Sequence, residues 1–271
     1  MNRPPLHVDA APSTGNVADG AMPLVLLHGW GMNLRAFDPL RAALPEVETR
    51  AIDLPGHGRS PWWPGAASFQ ELCEAVLAAL PPRCHLLGWS LGGKVALALA
   101  ARHPARIARL VLLAATPKFA QAPDWPHGMP EPSMRAFRAV LEQDWRQTLE
   151  DFIWLQVRGT READEVAQAL SAALLAHGEP RREALLAGMA LLEQVDLRPL
   201  VPQVVQPALV IAGRNDRVTA PDAAGWLAAN LPRARLHVVP RAGHAPHLSH
   251  ALELAELLRP FVTAPAEEAP A

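Results

Sequence analysis

The chain has no tyrosine, two cysteines and two lysines, and each shortage closes off a class of protein. Cys73 and Cys84 are too few for a disulfide framework or a cysteine-rich metal cluster, and they suit a reducing compartment. Lys94 and Lys118 are the only lysines among 25 basic residues, so arginine carries nearly all the positive charge. That skew runs along the whole chain, and an arginine in any one segment is therefore weak evidence for a site. Against 27 acidic residues the net charge is −2, which leaves no overall basic field for nucleic acid or an anionic membrane. No apolar run reaches the length needed to cross a bilayer. The first twenty residues also lack the uninterrupted apolar segment of a signal peptide. A cytoplasmic protein is expected. Internal repeats are missing too.

What is present is bulk. With 271 residues, half of them hydrophobic, the chain can bury one large core, and a single domain carrying an insertion is expected. The last stretch, Ala264 to Ala271, is alanine, proline and glutamate and reads as a disordered tail.

The most informative segment is Cys84 to Gly93, CHLLGWSLGG. A short apolar run fits a strand buried on both faces, and the alanines and leucines from Leu91 to Ala101 form a helix that stops before Pro104. Gly88, Trp89, Ser90, Leu91 and Gly92 lie between them in the GxSxG pattern of a nucleophile elbow. A strand that turns into a helix within one residue strains the central residue and needs small neighbours two positions away. The same turn lifts the serine hydroxyl clear of the sheet.

Other strands frame that turn. Leu24 to Leu27 ends in His28, Gly29, Trp30 and Gly31, which brings a glycine-bordered loop to the same sheet edge as Ser90. In hydrolases with this elbow, two main-chain N–H groups receive the oxyanion, and by position they are those of Trp30 and Leu91. Thr49 to Leu54 is the next strand, followed by a turn in which Asp53 and His57 read as loop architecture. Phe69 to Leu80 is an amphipathic helix, and Ile107 to Ala115 is another strand. Strand and helix in alternation argue for a mostly parallel sheet covered on both faces. From Thr116 to Pro132 the chain turns proline-rich, and helical periodicity follows over Ser133–Val157, Glu162–Leu175 and Arg181–Val195. A helical insertion at about 117–195, between core segments of about 22–116 and 196–262, reads as a lid over the strand ends. Phe137, Leu141, Phe152, Trp154 and Leu155 are candidates for its underside.

Strands return at Ala208–Gly213 and Leu236–Val239, the first followed by Asp216 and the second by His244. Ser90, Asp216 and His244 occur in the α/β-hydrolase order of nucleophile, acid and base. Asp222, His247 and His250 are the local competitors. A serine hydroxyl is a weak nucleophile until a histidine, held in one tautomer by a carboxylate, removes its proton. Acyl transfer to Ser90 and then to water follows, without metal or cofactor.

Through HGWGMN, DLPGHGRS, LGWSLGG, GRNDRV and AGHAPHLSH the sequence resembles the α/β-hydrolase superfamily over about residues 22–262. Within it, Trp30, Trp89 and the run FIWLQVRGT from Phe152 are similar to the pimeloyl-acyl carrier protein methyl ester esterases of biotin biosynthesis. The resemblance implies hydrolysis of that methyl ester to the free acid and methanol, and a monomer is expected. It also implies a substrate site at Trp30, Ser90, Leu91, Phe152, Ile153, Trp154, Leu155, Gln156 and His244. The family holds an acidic acyl carrier protein through lid arginines, for which Arg135, Arg138, Arg146, Arg158 and Arg161 are available. At other places where the family has arginine this chain has Gln147, Asp151, Asp164 and Gln168. A short-chain carboxylesterase, a carbon–carbon bond hydrolase on the same triad, or a binding protein with vestigial chemistry are the alternatives. Haloalkane dehalogenation would need a carboxylate where Ser90 stands.

Overall fold

A computed structural model describes residues 3–14, 22–160 and 162–264. Its centre is a sheet built from the apolar runs: β2 (Leu24–Leu27), β3 (Thr49–Ile52), β4 (Cys84–Trp89), β5 (Ile107–Leu113) and β6 (Ala208–Gly213). With β1 (Val8–Ala11) and β7 (Ala234–Val239) at its edges, the order is β1-β3-β2-β4-β5-β6-β7. Only β1 runs antiparallel to its neighbour, β3. This is the expected α/β architecture.

Alternation within strands explains the two cores. Leu24 and Leu26 of β2 pack into one cluster and Val25 and Leu27 into the other, because successive side chains point to opposite faces of a sheet. Both faces are covered, so β2, β4 and β6 are buried along their whole length. The edge strands differ. β7 begins two residues earlier than its apolar signal, since Ala234 and Arg235 are pulled into the ladder by β6 while remaining partly exposed. β1 has almost no strand signal in its sequence, VDAA, and exists through its pairing with β3.

Five helices accompany the sheet in the first and last parts of the chain: α1 (Asp38–Ala42), α2 (Phe69–Ala79), α3 (Leu91–Arg102), α8 (Pro221–Asn230) and α10 (Ala251–Thr263), with the single turn α9 (Pro246–Ser249) before the last. Between β5 and β6 comes the helical insertion, α4 (Glu131–Gln143), α5 (Trp145–Val157), α6 (Ala163–His177) and α7 (Arg182–Gln194). The periodicity over Ser133–Val157 suggests one helix, but the structure has two. Asp144 leaves helical geometry at φ −143° and accepts hydrogen bonds from the N–H groups of Arg146 and Gln147, so it starts a new helix. The stems of the insertion are tied together: Leu197 N donates to Pro117 O at 3.0 Å, and Lys118 pairs with Asp196 at 3.2 Å. Lys94 reaches them from α3. Its Nζ donates to Pro117 O and Val195 O, each at 2.9 Å, in a site where burial pushes the ammonium pKa down to about 7.

Cys73 and Cys84 are buried and unbridged, and burial pushes both thiols up to about 12. No helix among the described residues is long and apolar enough to cross a membrane. Most of the expected tail, residues 265–271, and Arg161 lie outside the described residues.

Candidate active site

Ser90 stands between β4 and α3 at φ 54° and ψ −115°, a positive-φ conformation that few side-chain-bearing residues adopt. The glycines around it have steric causes. A Cβ on Gly88 would come within 2.3 Å of the Gly92 carbonyl oxygen, and one on Gly92 within 2.3 Å of Leu27 O at the end of β2. The elbow therefore closes only with glycine at both positions. The β2 loop is equally close, since a Cβ on Gly29 would lie 3.1 Å from Ser90 Cβ.

That loop is oriented by His28. Its Nε2 accepts from Leu54 N at 2.9 Å, so Nδ1 carries the proton and donates to Gly29 O at 2.8 Å. Burial pushes its pKa down to about 4, in keeping with a neutral ring. The N–H groups of Trp30 and Leu91 donate to no acceptor among the described residues and remain available at the elbow. Trp30 is itself fixed by a 2.9 Å hydrogen bond from its ring nitrogen to Leu185 O in α7.

Asp216 follows β6 and His244 follows β7, and the two meet with His244 Nδ1 2.8 Å from Asp216 Oδ2. Both side chains are fully buried. The carboxylate also accepts from Val218 N, Thr219 N and Thr219 Oγ1 at 2.8–2.9 Å. With its other contacts all accepted from N–H and O–H donors, the carboxylate also accepts at His244 Nδ1, an arrangement that turns Nε2 away from Asp216. His244 Nε2 is buried and has no hydrogen-bond partner among the described residues. The main chain of His244 is held from two sides, by Trp89 Nε1 donating to its carbonyl and by its own N–H donating to Gln156 O, both at 2.8 Å.

Asp222, His247 and His250 are placed differently. Asp222 is exposed in the first turn of α8. His247 is buried against Trp89, ring centroids 4.4 Å apart, with both nitrogens unpaired and burial pushing its pKa down to about 3. His250 bonds its neighbour Ser249. Asp53 and His57 serve their loop, Asp53 accepting from Leu34 N and Arg59 N.

A cavity of about 130 Å³ rises from Ser90 between core and insertion and opens to solvent. Apart from Ser90 and Ser133 its walls are apolar, with Trp30, Phe137 and Phe152 in edge-to-face contact. The expected run Phe152–Gln156 reaches it only in part. Phe152 and Leu155 line it, whereas Ile153 packs into the core, Trp154 is 53% exposed and Gln156 turns inward beside His244. A helix shows a cavity only part of its circumference, so five consecutive residues cannot all line one wall. Leu141, expected on the underside, is buried among the helices.

Three residues that hold the His–Asp pair, Thr219, Gln156 and Trp89, do not declare that role in the sequence. Of the three only Thr219 is close to its partner in the chain, three residues after Asp216, whose carboxylate it meets in a local side-chain turn. The arginine set is largely engaged: Arg135 with Glu131, Arg138 with Glu193, and Arg146 with Glu179 while its guanidinium stacks on Trp145. Arg158 is exposed and has no partner among the described residues.

An elbow serine, a buried His–Asp pair and two free N–H groups on a mostly parallel sheet define a class. The alpha/beta hydrolase fold model matches residues 22–251, and the chain belongs to that family. The solved structure of an esterase from Exiguobacterium antarcticum superimposes with a TM-score of 0.84 at 24% identity over 96% of each chain, a likeness of fold. Within the class the chain is 40% identical to the pimeloyl-[acyl-carrier protein] methyl ester esterase of Nitrosomonas europaea, over 90% of this chain and 94% of that one. It is 39% identical to the Stenotrophomonas maltophilia protein of the same name, over 96% and 97%. It belongs with these esterases.

Proposed function

We propose that this chain is a serine carboxylesterase that hydrolyses the methyl ester of a pimeloyl group held on acyl carrier protein, giving the free acid and methanol. The observation that carries the reading is the His244–Asp216 pair behind an elbow serine at the foot of an apolar cavity. The names of the relatives supply the substrate.

In this mechanism Ser90 Oγ attacks the ester carbonyl while His244 Nε2 takes its proton, and Asp216 stabilises the imidazolium through Nδ1–H. The N–H groups of Trp30 and Leu91 receive the oxyanion, each contributing on the order of 3 kcal/mol to the barrier reduction. Collapse expels methanol as His244 returns the proton to the leaving oxygen. Water, deprotonated by His244, then cleaves the acyl-enzyme and restores Ser90. The methylene chain lies against Phe152, Phe137 and Met134, and the insertion acts as the lid through which the carrier-linked end emerges.

Carrier recognition falls to exposed arginines of that lid. Arg158 is unpaired among the described residues, and the Arg135–Glu131 pair is solvent-exposed, so a carrier carboxylate can replace Glu131 at little cost. The deciding experiment gives the purified protein methyl pimeloyl-acyl carrier protein, a short aryl ester and a dienoic diketone, with Ser90→Ala as control. Methanol release from the carrier-linked ester, at a kcat/KM well above that for the aryl ester, is expected. Preference for the aryl ester would indicate a general carboxylesterase, and turnover of the diketone a carbon–carbon bond hydrolase.

A further inference from the structure

The pairing of β1 with β3 continues one step past its last ladder position. Asp53 N donates to His7 O at 3.0 Å, next to the Val8–Ile52 pair. Residues opposite one another on neighbouring strands project to the same face, which sets the His7 imidazole beside the Asp53 carboxylate. Ser60 fixes this arrangement, its Oγ accepting from His7 N at 2.8 Å and donating to Asp53 O at 2.6 Å. His177, the last residue of α6, comes down onto the same corner from the helical insertion. One ring nitrogen from each histidine and one Asp53 oxygen all lie within 4.8 Å of one another.

His177 supplies a second, independent observation. Both of its ring nitrogens are shut off from solvent and neither has a hydrogen-bond partner among the described residues. Its ring meets that of His7 edge-on, centroids 5.7 Å apart. An imidazole whose two nitrogens are covered and unpaired calls for a partner of another kind. Two imidazoles and a carboxylate are a ligand set that zinc and related first-row divalent ions accept, with a position left for water.

We propose that His7, Asp53 and His177 form a binding site for a divalent transition-metal ion of the zinc class, which fastens the end of α6 to the sheet. The Asp53 carboxylate is already oriented for ligation. Its Oδ1 accepts from Leu34 N and its Oδ2 from Arg59 N, both at 2.9 Å, and each oxygen keeps a lone pair for a metal. Zinc bonds place tetrahedral donors about 3.4 Å apart, so the three must draw together. The room for that is at His177. It precedes Gly178, which has φ 89° and nothing within 4 Å of where a Cβ would stand. Arg35 and Arg59 bring positive charge to the same corner, but Arg35 is paired with Asp9 at 3.0 Å and Asp38 at 3.6 Å, and Arg59 is exposed to solvent.

The test titrates the metal-free, full-length protein with zinc chloride, following binding by calorimetry and thermal unfolding in parallel. One ion per chain and a higher Tm are expected. His7→Ala and His177→Ala should each weaken binding at least about tenfold and remove the Tm increase, as loss of one ligand does. His177→Cys, which replaces one zinc ligand with another, should retain both effects. Hydrolysis of a small ester by the metal-free alanine variants should match the wild type and show that they are folded. Absence of binding up to millimolar zinc would overturn the proposal. So would binding that survives both alanine substitutions, since the chain has eleven histidines from which another site could be made.

Discussion

Ser90 is held at φ 54° by its neighbours, and the strain of that conformation is compensated by packing that leaves only glycine at positions 88 and 92. Its reactivity is expected to depend on His244 and Asp216 as a unit. Ser90→Ala and His244→Ala should each lower kcat by about 10⁴-fold or more, with the double variant little worse than either alone. Additive losses would count against the triad. Asp216→Asn should cost about 10⁴-fold with the fold intact, because Nδ1 loses its charged acceptor. His247 permits a different test. Its native pKa of about 3 lies below the ordinary value of 6.5, so the unfolded chain takes up a proton that the native ring refuses. Stability from this source is complete above pH 6.5 and falls by about 1.4 kcal/mol per pH unit as pH drops toward 3. His247→Leu sacrifices no hydrogen bond, so urea titrations at pH 7 and pH 5 should show a smaller loss on acidification than the wild type.

At the scale of elements, α3 joins Ser90 to both stems of the insertion through Lys94. Replacing it with methionine leaves Val195 O without its donor, while Pro117 O keeps Leu197 N. Lys94→Met should destabilise the protein by about 1–3 kcal/mol in urea unfolding. The sign of its pH dependence follows from a native pKa of about 7 against an ordinary 10.5. Between those values the unfolded chain binds the extra proton, so wild-type stability from this group rises with pH. The difference between wild type and Lys94→Met should therefore widen from pH 7 to pH 9. A gap that stays constant over that range would mean that the native amine is charged throughout.

Across the whole molecule, a net charge of −2 hides local arginines that differ in their freedom. Arg146 is held by Glu179 and Trp145, whereas Arg158 is unpaired among the described residues and Arg135 is weakly paired at the surface. Reversing Arg135 and Arg158 to glutamate should raise KM for a carrier-linked methyl ester, most strongly at low salt, and spare a small free methyl ester. Equal effects on the two substrates would assign these side chains to the structure of the insertion.

Much of this was legible in the linear chain because it rests on local spacing. The elbow needs small residues two positions either side of Ser90, buried parallel strands need continuous apolar runs, and Asp216 and His244 lie just after strand ends. The limits were equally physical. β1 has no apolar pattern and depends on β3, and the break at Asp144 depends on a cap that competes with helical continuity. Tertiary packing alone decided that Trp89 and Gln156 hold the His244 loop, that Trp154 faces outward, and that His7, Asp53 and His177 converge. Those contacts join residues far apart in the chain, and a local pattern records which face a side chain takes but not what meets it there.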